Sequence, residues 1–81
     1  MRVEIRLFAL ARERAGRDVL DLEVAERATV ADLRRAVAAG CPALAPLLGS
    51  SLLAIDSEYA RDDEVVPAGA SVALIPPVSG G

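Results

Sequence analysis

From Arg2 to Leu7, apolar and charged residues alternate, with Val3, Ile5 and Leu7 set against Arg2, Glu4 and Arg6. This period of two predicts a strand with one buried face. Phe8 continues the register onto the charged face, where its ring has no core to enter, which makes it a candidate contact residue. A bulge in the strand would instead carry the ring inward. Ala9 to Gly16 is short and rich in Arg and Glu, and it predicts one helical turn ending at Gly16, a connector and not a core element. Leu20, Leu22 and Val24 then alternate with Asp21 and Glu23, predicting a second strand able to pair antiparallel with the first.

Thr29 followed three residues later by Asp32 has the form of a helix N-cap with an acid in the first turn, where the helix dipole favours it. Val30, Leu33 and Val37 share one helical face, Arg34 and Arg35 point elsewhere, and Gly40 and Pro42 end the helix after about three turns. Ala43 to Leu48 reads as a further short turn, Leu52 to Ile55 as a strand, Asp56-Ser57 as a turn, and Val65-Val66 as a short strand ended by Pro67. Ser71 to Ile75 is a last strand, stopped by Pro76-Pro77 because proline cannot donate to a sheet ladder. The order is ββαββ with short extras. One main helix across a mixed sheet of four or five strands buries both apolar sets economically, an α+β arrangement of the ubiquitin-like β-grasp type. The expected division is a β-grasp domain over 1–75 and a flexible tail over 76–81.

With 81 residues there is room for one domain and a thin core, so function is expected at an edge or a terminus. The absence of histidine removes the usual near-neutral base and the commonest metal ligand. One cysteine excludes internal disulfides and multi-cysteine metal frameworks and suits a reducing compartment, with the cytoplasm as the expectation. A net charge of -3 disfavours nucleic acid as a partner. All nine basic residues are arginine, so Schiff-base lysine chemistry is excluded. The alternating start does not read as a signal peptide, and the longest apolar stretch, Ala43 to Ile55, is broken by Pro46, Gly49, Ser50 and Ser51, so no membrane span is expected.

The last ionisable side chain is Glu64. Pro76, Pro77, Val78, Ser79, Gly80 and Gly81 therefore end the chain with a single charge, the terminal carboxylate, on a segment able to reach about 20 Å when extended. The prolines stiffen its base, while Gly80 and Gly81 fit a slot too narrow for a side chain. A carboxylate is a poor electrophile at neutral pH and needs activation, for example by attack on the α-phosphate of ATP. The chain has no Gly-rich phosphate loop with lysine, so the activating enzyme would be a partner that uses ATP, with no cofactor bound here.

This tail, together with the run Phe8-Ala9-Leu10-Ala11-Arg12-Glu13-Arg14-Ala15-Gly16, resembles the small subunits of molybdopterin synthase over nearly the whole chain. The resemblance implies a sulfur carrier that is not catalytic alone. Its Gly81 carboxylate is adenylated by a ubiquitin-activating-like adenylyltransferase, converted to a thiocarboxylate with sulfur from a donor protein, and inserted into the large catalytic subunit. There it gives its sulfur to cyclic pyranopterin monophosphate in a heterotetramer. The resemblance also implies that Phe8 and Ile75 contact the large subunit; the family places an aromatic at Ile75 and acidic residues at Gly69-Ala70-Ser71. Rival expectations are a carrier for thiamine, cysteine or tRNA thiolation, a protein modifier, or a plain interaction module. Cys41, between Gly40 and Pro42, has no basic neighbour to activate it and reads as a small apolar side chain. Asp62-Asp63-Glu64 reads as a solvated loop and not a cation site. Arg12, Arg14, Arg34 and Arg35 read as solvated surface charge.

Overall fold

The computed structural model describes residues 1–77. Its elements are β1 (Arg2–Leu7), α1 (Ala9–Ala15), β2 (Val19–Glu23), α2 (Val30–Gly40), a 3₁₀ turn at Pro42–Leu44, α3 (Ala45–Leu48), β3 (Leu52–Ile55), β4 (Glu58–Ala60) and β5 (Val72–Ile75). The five strands form one mixed sheet in the order β2-β1-β5-β3-β4. The pair β1 and β5 is parallel, and the other neighbours are antiparallel. With α2 packed across one face this is the β-grasp.

The alternation in β1 decides which face meets the helix: Val3, Ile5 and Leu7 are buried and their charged neighbours exposed. Registers Ile5↔Val72, Leu7↔Leu74 and Leu53↔Leu74 put these side chains on the same inner face. They meet Val30, Leu33 and Val37 of α2, with Leu44 and Leu48 closing one end of the core. Helix α2 begins in a reciprocal capping box, Thr29 Oγ1 accepting from Asp32 N at 3.2 Å and Asp32 Oδ2 accepting from Thr29 N at 2.9 Å. These bonds satisfy two backbone donors at the helix start. At its other end Gly40 lies against β2, where an added Cβ would sit 2.8 Å from Leu22 Cδ2.

Four expectations are corrected. Helix α1 is a two-turn element that builds as well as connects: Ala11 is fully buried in the core, and Gly16 closes the helix at φ 72°, its N–H donating to Arg12 O. Val65-Val66 forms no strand, only a single antiparallel bridge from Val65 to Thr29, while Val66 fills the core. An unexpected strand, β4, follows the Asp56-Ser57 turn. Both turn residues have positive φ, 49° and 71°, which suits the twist of a tight hairpin. Arg34 is not solvated charge: its side chain is 20% exposed, its Nε donates to Asp62 Oδ1 at 2.9 Å, and its guanidinium also donates to the carbonyls of Leu48 and Ser51. One arginine thereby ties α2 to the α3–β3 connection and to the 61–64 turn.

Candidate functional site

The outer face of the sheet, turned away from α2, is divided along β1. On β1 and β2 it carries Arg2, Glu4, Arg6, Asp21 and Glu23, with Arg2 and Asp21 3.3 Å apart. On β5, β3 and β4 the registers Leu52↔Ile75, Ala54↔Ala73 and Ala54↔Tyr59 put apolar residues side by side on the same face. Leu52 is 48% exposed and Tyr59 68% exposed. Phe8, just past the end of β1, is 44% exposed, so no bulge carries it into the core. Phe8 and Ile75 line a shallow groove of about 400 Å³ together with Ala54, Tyr59 and Ala73 and the polar residues Arg6, Ser57 and Ser71.

The same two residues also line a cleft of about 570 Å³ where the chain leaves β5, bounded by Leu10, Arg12 and Glu13 of α1 and by Pro76 and Pro77. This cleft exists because the chain turns sharply after Phe8: Ala9 has φ 50°, a left-handed conformation strained for a non-glycine residue, and α1 starts at once. The turn leaves Phe8 beside the base of the tail. Pro76 is buried and Pro77 exposed. Val78, Ser79, Gly80 and Gly81, the remaining candidate tail residues, lie outside the described residues.

Phe8 and Ile75, singled out from the sequence, are therefore neighbours and share both depressions. Leu52, Ala54, Tyr59 and Ala73 extend their patch and were not expected there. For Leu52, Ala54 and Ala73 the signal is present in the sequence: Leu52-Leu53-Ala54-Ile55 and Val72-Ala73-Leu74-Ile75 have no polar side chain on either face, the pattern of strands covered on both sides. Among the described residues the second side is left partly open, at Leu52 above all. A contiguous exposed apolar area on a small domain marks a surface for a partner.

The other candidates do not line either depression. Cys41 is half-buried between α2 and the 3₁₀ turn, against the core. Asp62 is engaged by Arg34, and Asp63 lies 3.4 Å from Arg61. Among the described residues no group of side chains could hold a metal ion, and no helix is long and apolar enough to cross a membrane. The Asp32 carboxyl is held below the usual carboxylate range by the backbone N–H of Thr29 and, next, by the Arg35 side chain. It belongs to the helix cap.

The chain is 36% identical to the molybdopterin synthase sulfur carrier subunit of Chlamydomonas reinhardtii, over the whole of both chains. It superposes on the small archaeal modifier protein 1 of Haloferax volcanii with a TM-score of 0.84, at 30% identity, covering 95% of this chain and 98% of that one. The ubiquitin of Caldiarchaeum subterraneum matches with a TM-score of 0.68 at 28% identity, covering 100% and 98%. The pattern of the ThiS family spans residues 5–81, so the chain belongs to the ThiS family, with the ubiquitin-like β-grasp fold.

Proposed function

We propose that the chain is the sulfur-carrying small subunit of a molybdopterin synthase. Whole-length identity to a carrier subunit of that enzyme carries this reading. An apolar docking face running up to the base of a side-chain-poor tail supports it. The terminal carboxylate of Gly81 attacks the α-phosphorus of ATP in a ubiquitin-activating-like partner, pyrophosphate leaves, and an acyl-adenylate forms. A sulfur nucleophile supplied by a donor protein then displaces AMP and leaves a thiocarboxylate. The tail, stiffened at Pro76-Pro77 and slender at Gly80-Gly81, delivers that sulfur to cyclic pyranopterin monophosphate inside the large subunit, with Phe8 and Ile75 against the subunit's surface. The chain holds no cofactor of its own, and one free thiol fits a reducing, cytoplasmic setting.

Incubation with ATP, a sulfur source and the activating enzyme tests this: the intact mass rises by one oxygen-to-sulfur exchange, and the loaded chain with the large subunit converts the precursor to molybdopterin. Deleting Gly81 abolishes loading and leaves the fold unchanged. Normal loading of the deletion variant would overturn the assignment. A second reading, a protein modifier, draws on the likeness to the Haloferax modifier protein. Loading without molybdopterin formation, with the chain instead joined to other proteins through amide bonds, would favour it.

A further inference from the structure

Activated carboxylates react with amines, and this chain offers almost none. Its nine basic side chains are all arginine, and it has no lysine. A guanidinium stays protonated at physiological pH and does not accept an acyl group, whereas an unprotonated lysine amine does. The remaining amine is the α-amino group of Met1, and the fold confines it. Met1 N donates to Val24 O, lies 3.9 Å from Glu23 Oε2, and belongs to a side chain only 12% exposed. That hydrogen bond and the nearby Glu23 carboxylate fix the orientation of the nitrogen and restrict the directions from which an acyl carbon can approach it.

Sheet topology separates this amine from the tail. Strand β1 runs parallel to β5, with Ile5 opposite Val72 and Leu7 opposite Leu74. Met1 therefore sits at one end of β1 and Pro76-Pro77 emerge at the other, about 20 Å away at roughly 3.3 Å per residue. Four residues follow Pro77 and span about 14 Å at most. Gly81 cannot reach Met1 of its own folded chain.

We propose that the folded chain is inert as an amine acceptor toward its own activated carboxylate, in the same molecule and between copies, so that only sulfur or a nucleophile of a different protein takes the acyl group. This rests on the carrier reading above. The excluded reaction is attack of an amine nitrogen on the acyl carbon, with loss of AMP and of one proton from the nitrogen, giving an amide. It would consume the carrier in a dead-end dimer or ring.

The test uses the full chain with its C-terminus prepared chemically as a thioester, so it depends neither on ATP nor on the activating enzyme and is readable even if loading fails. At about pH 8.5 a free α-amine is largely unprotonated. The folded wild type is expected to hydrolyse without forming amide-linked dimers or rings by intact mass under denaturing conditions. In concentrated urea, with Met1 released, such products form at least about tenfold faster, as expected when reaction requires opening of the fold. At about pH 10, where an exposed lysine amine is substantially unprotonated, Arg61→Lys and Arg14→Lys are expected to form amide-linked products while folded, which the folded wild type still does not. Amide products from folded wild type at the rate seen in urea would overturn the proposal, as would folded lysine variants as unreactive as the wild type.

Discussion

The two halves of the outer sheet face are built from strands of similar length on one continuous ladder, yet they meet water differently. On β1 and β2 the outward residues are charged except for Val19, opposite Arg6, and the ion pair Arg2–Asp21 spans the two strands. On β5, β3 and β4 the outward positions are Ala73, Ile75, Leu52, Ala54 and Tyr59, and Phe8 joins them from the end of β1. The charged half needs nothing further. The apolar half keeps large side chains in contact with water, and it lies beside the tail. Hydrophobic area left open on one side of an otherwise well-packed domain is area reserved for another surface.

The sharpest contrast lies within β5, where Leu74 and Ile75 are adjacent but face opposite ways. Leu74 is fully buried between α2 and the sheet, and Leu74→Ala is expected to cost about 2–5 kcal/mol of stability through lost transfer energy and an unfilled cavity. Ile75 is half-buried on the outer face, and Ile75→Ala is expected to cost roughly 1 kcal/mol. Urea denaturation of the two variants checks this. Equal losses would mean that the outer face is packed within the chain and has no area to offer.

That contrast also explains what the sequence revealed and what it hid. β1 is legible because its two faces differ in polarity, and the capping box of α2 is legible because Thr29 and Asp32 are three residues apart. Phe8 stood out because it breaks the alternation. Leu52 did not, because an all-apolar strand reads alike whether its second face is covered by its own chain or by another. β4 was hidden by its length of three residues and by a turn of Asp56-Ser57, which takes positive φ without the glycine that usually announces it. Arg34 was misjudged because two of its acceptors are backbone carbonyls, 14 and 17 residues away in sequence, which no side-chain pattern records.

If the apolar half is one docking surface, its two ends should respond together. Phe8→Ala is expected to weaken binding of the proposed large-subunit partner by about 1.5–3 kcal/mol if the ring is buried in the complex, and Tyr59→Ala by roughly 1 kcal/mol or more. Arg2→Gln, on the charged half, should change affinity by less than about 0.5 kcal/mol, because its exposed pair with Asp21 is worth little in water. Titration calorimetry with the purified large subunit separates these cases. A Tyr59 variant of unchanged affinity would shrink the surface to the tail-proximal end, and a strong Arg2 effect would erase the division between the halves.

Helix α2 backs the inner face of the sheet, opposite the docking half, so it supplies a perturbation that reaches stability without touching the outer face. Thr29→Ala removes the acceptor for Asp32 N and is expected to cost about 1 kcal/mol. Asp32 adds a pH dependence of known sign. Its carboxyl is held below the ordinary value in the folded chain by the Thr29 N–H and by Arg35. The stability it contributes is thus fully present above the ordinary carboxylate pKa and is lost as pH falls through the lower, folded value. Thermal melts of wild type and Asp32→Asn should therefore differ at neutral pH and converge as the wild-type carboxylate protonates in acid. At neutral pH neither variant should alter affinity for the large subunit, because the cap lies on the far side of the sheet from Phe8 and Tyr59. Weakened binding in a cap variant that stays folded would assign part of the interface to the helix side.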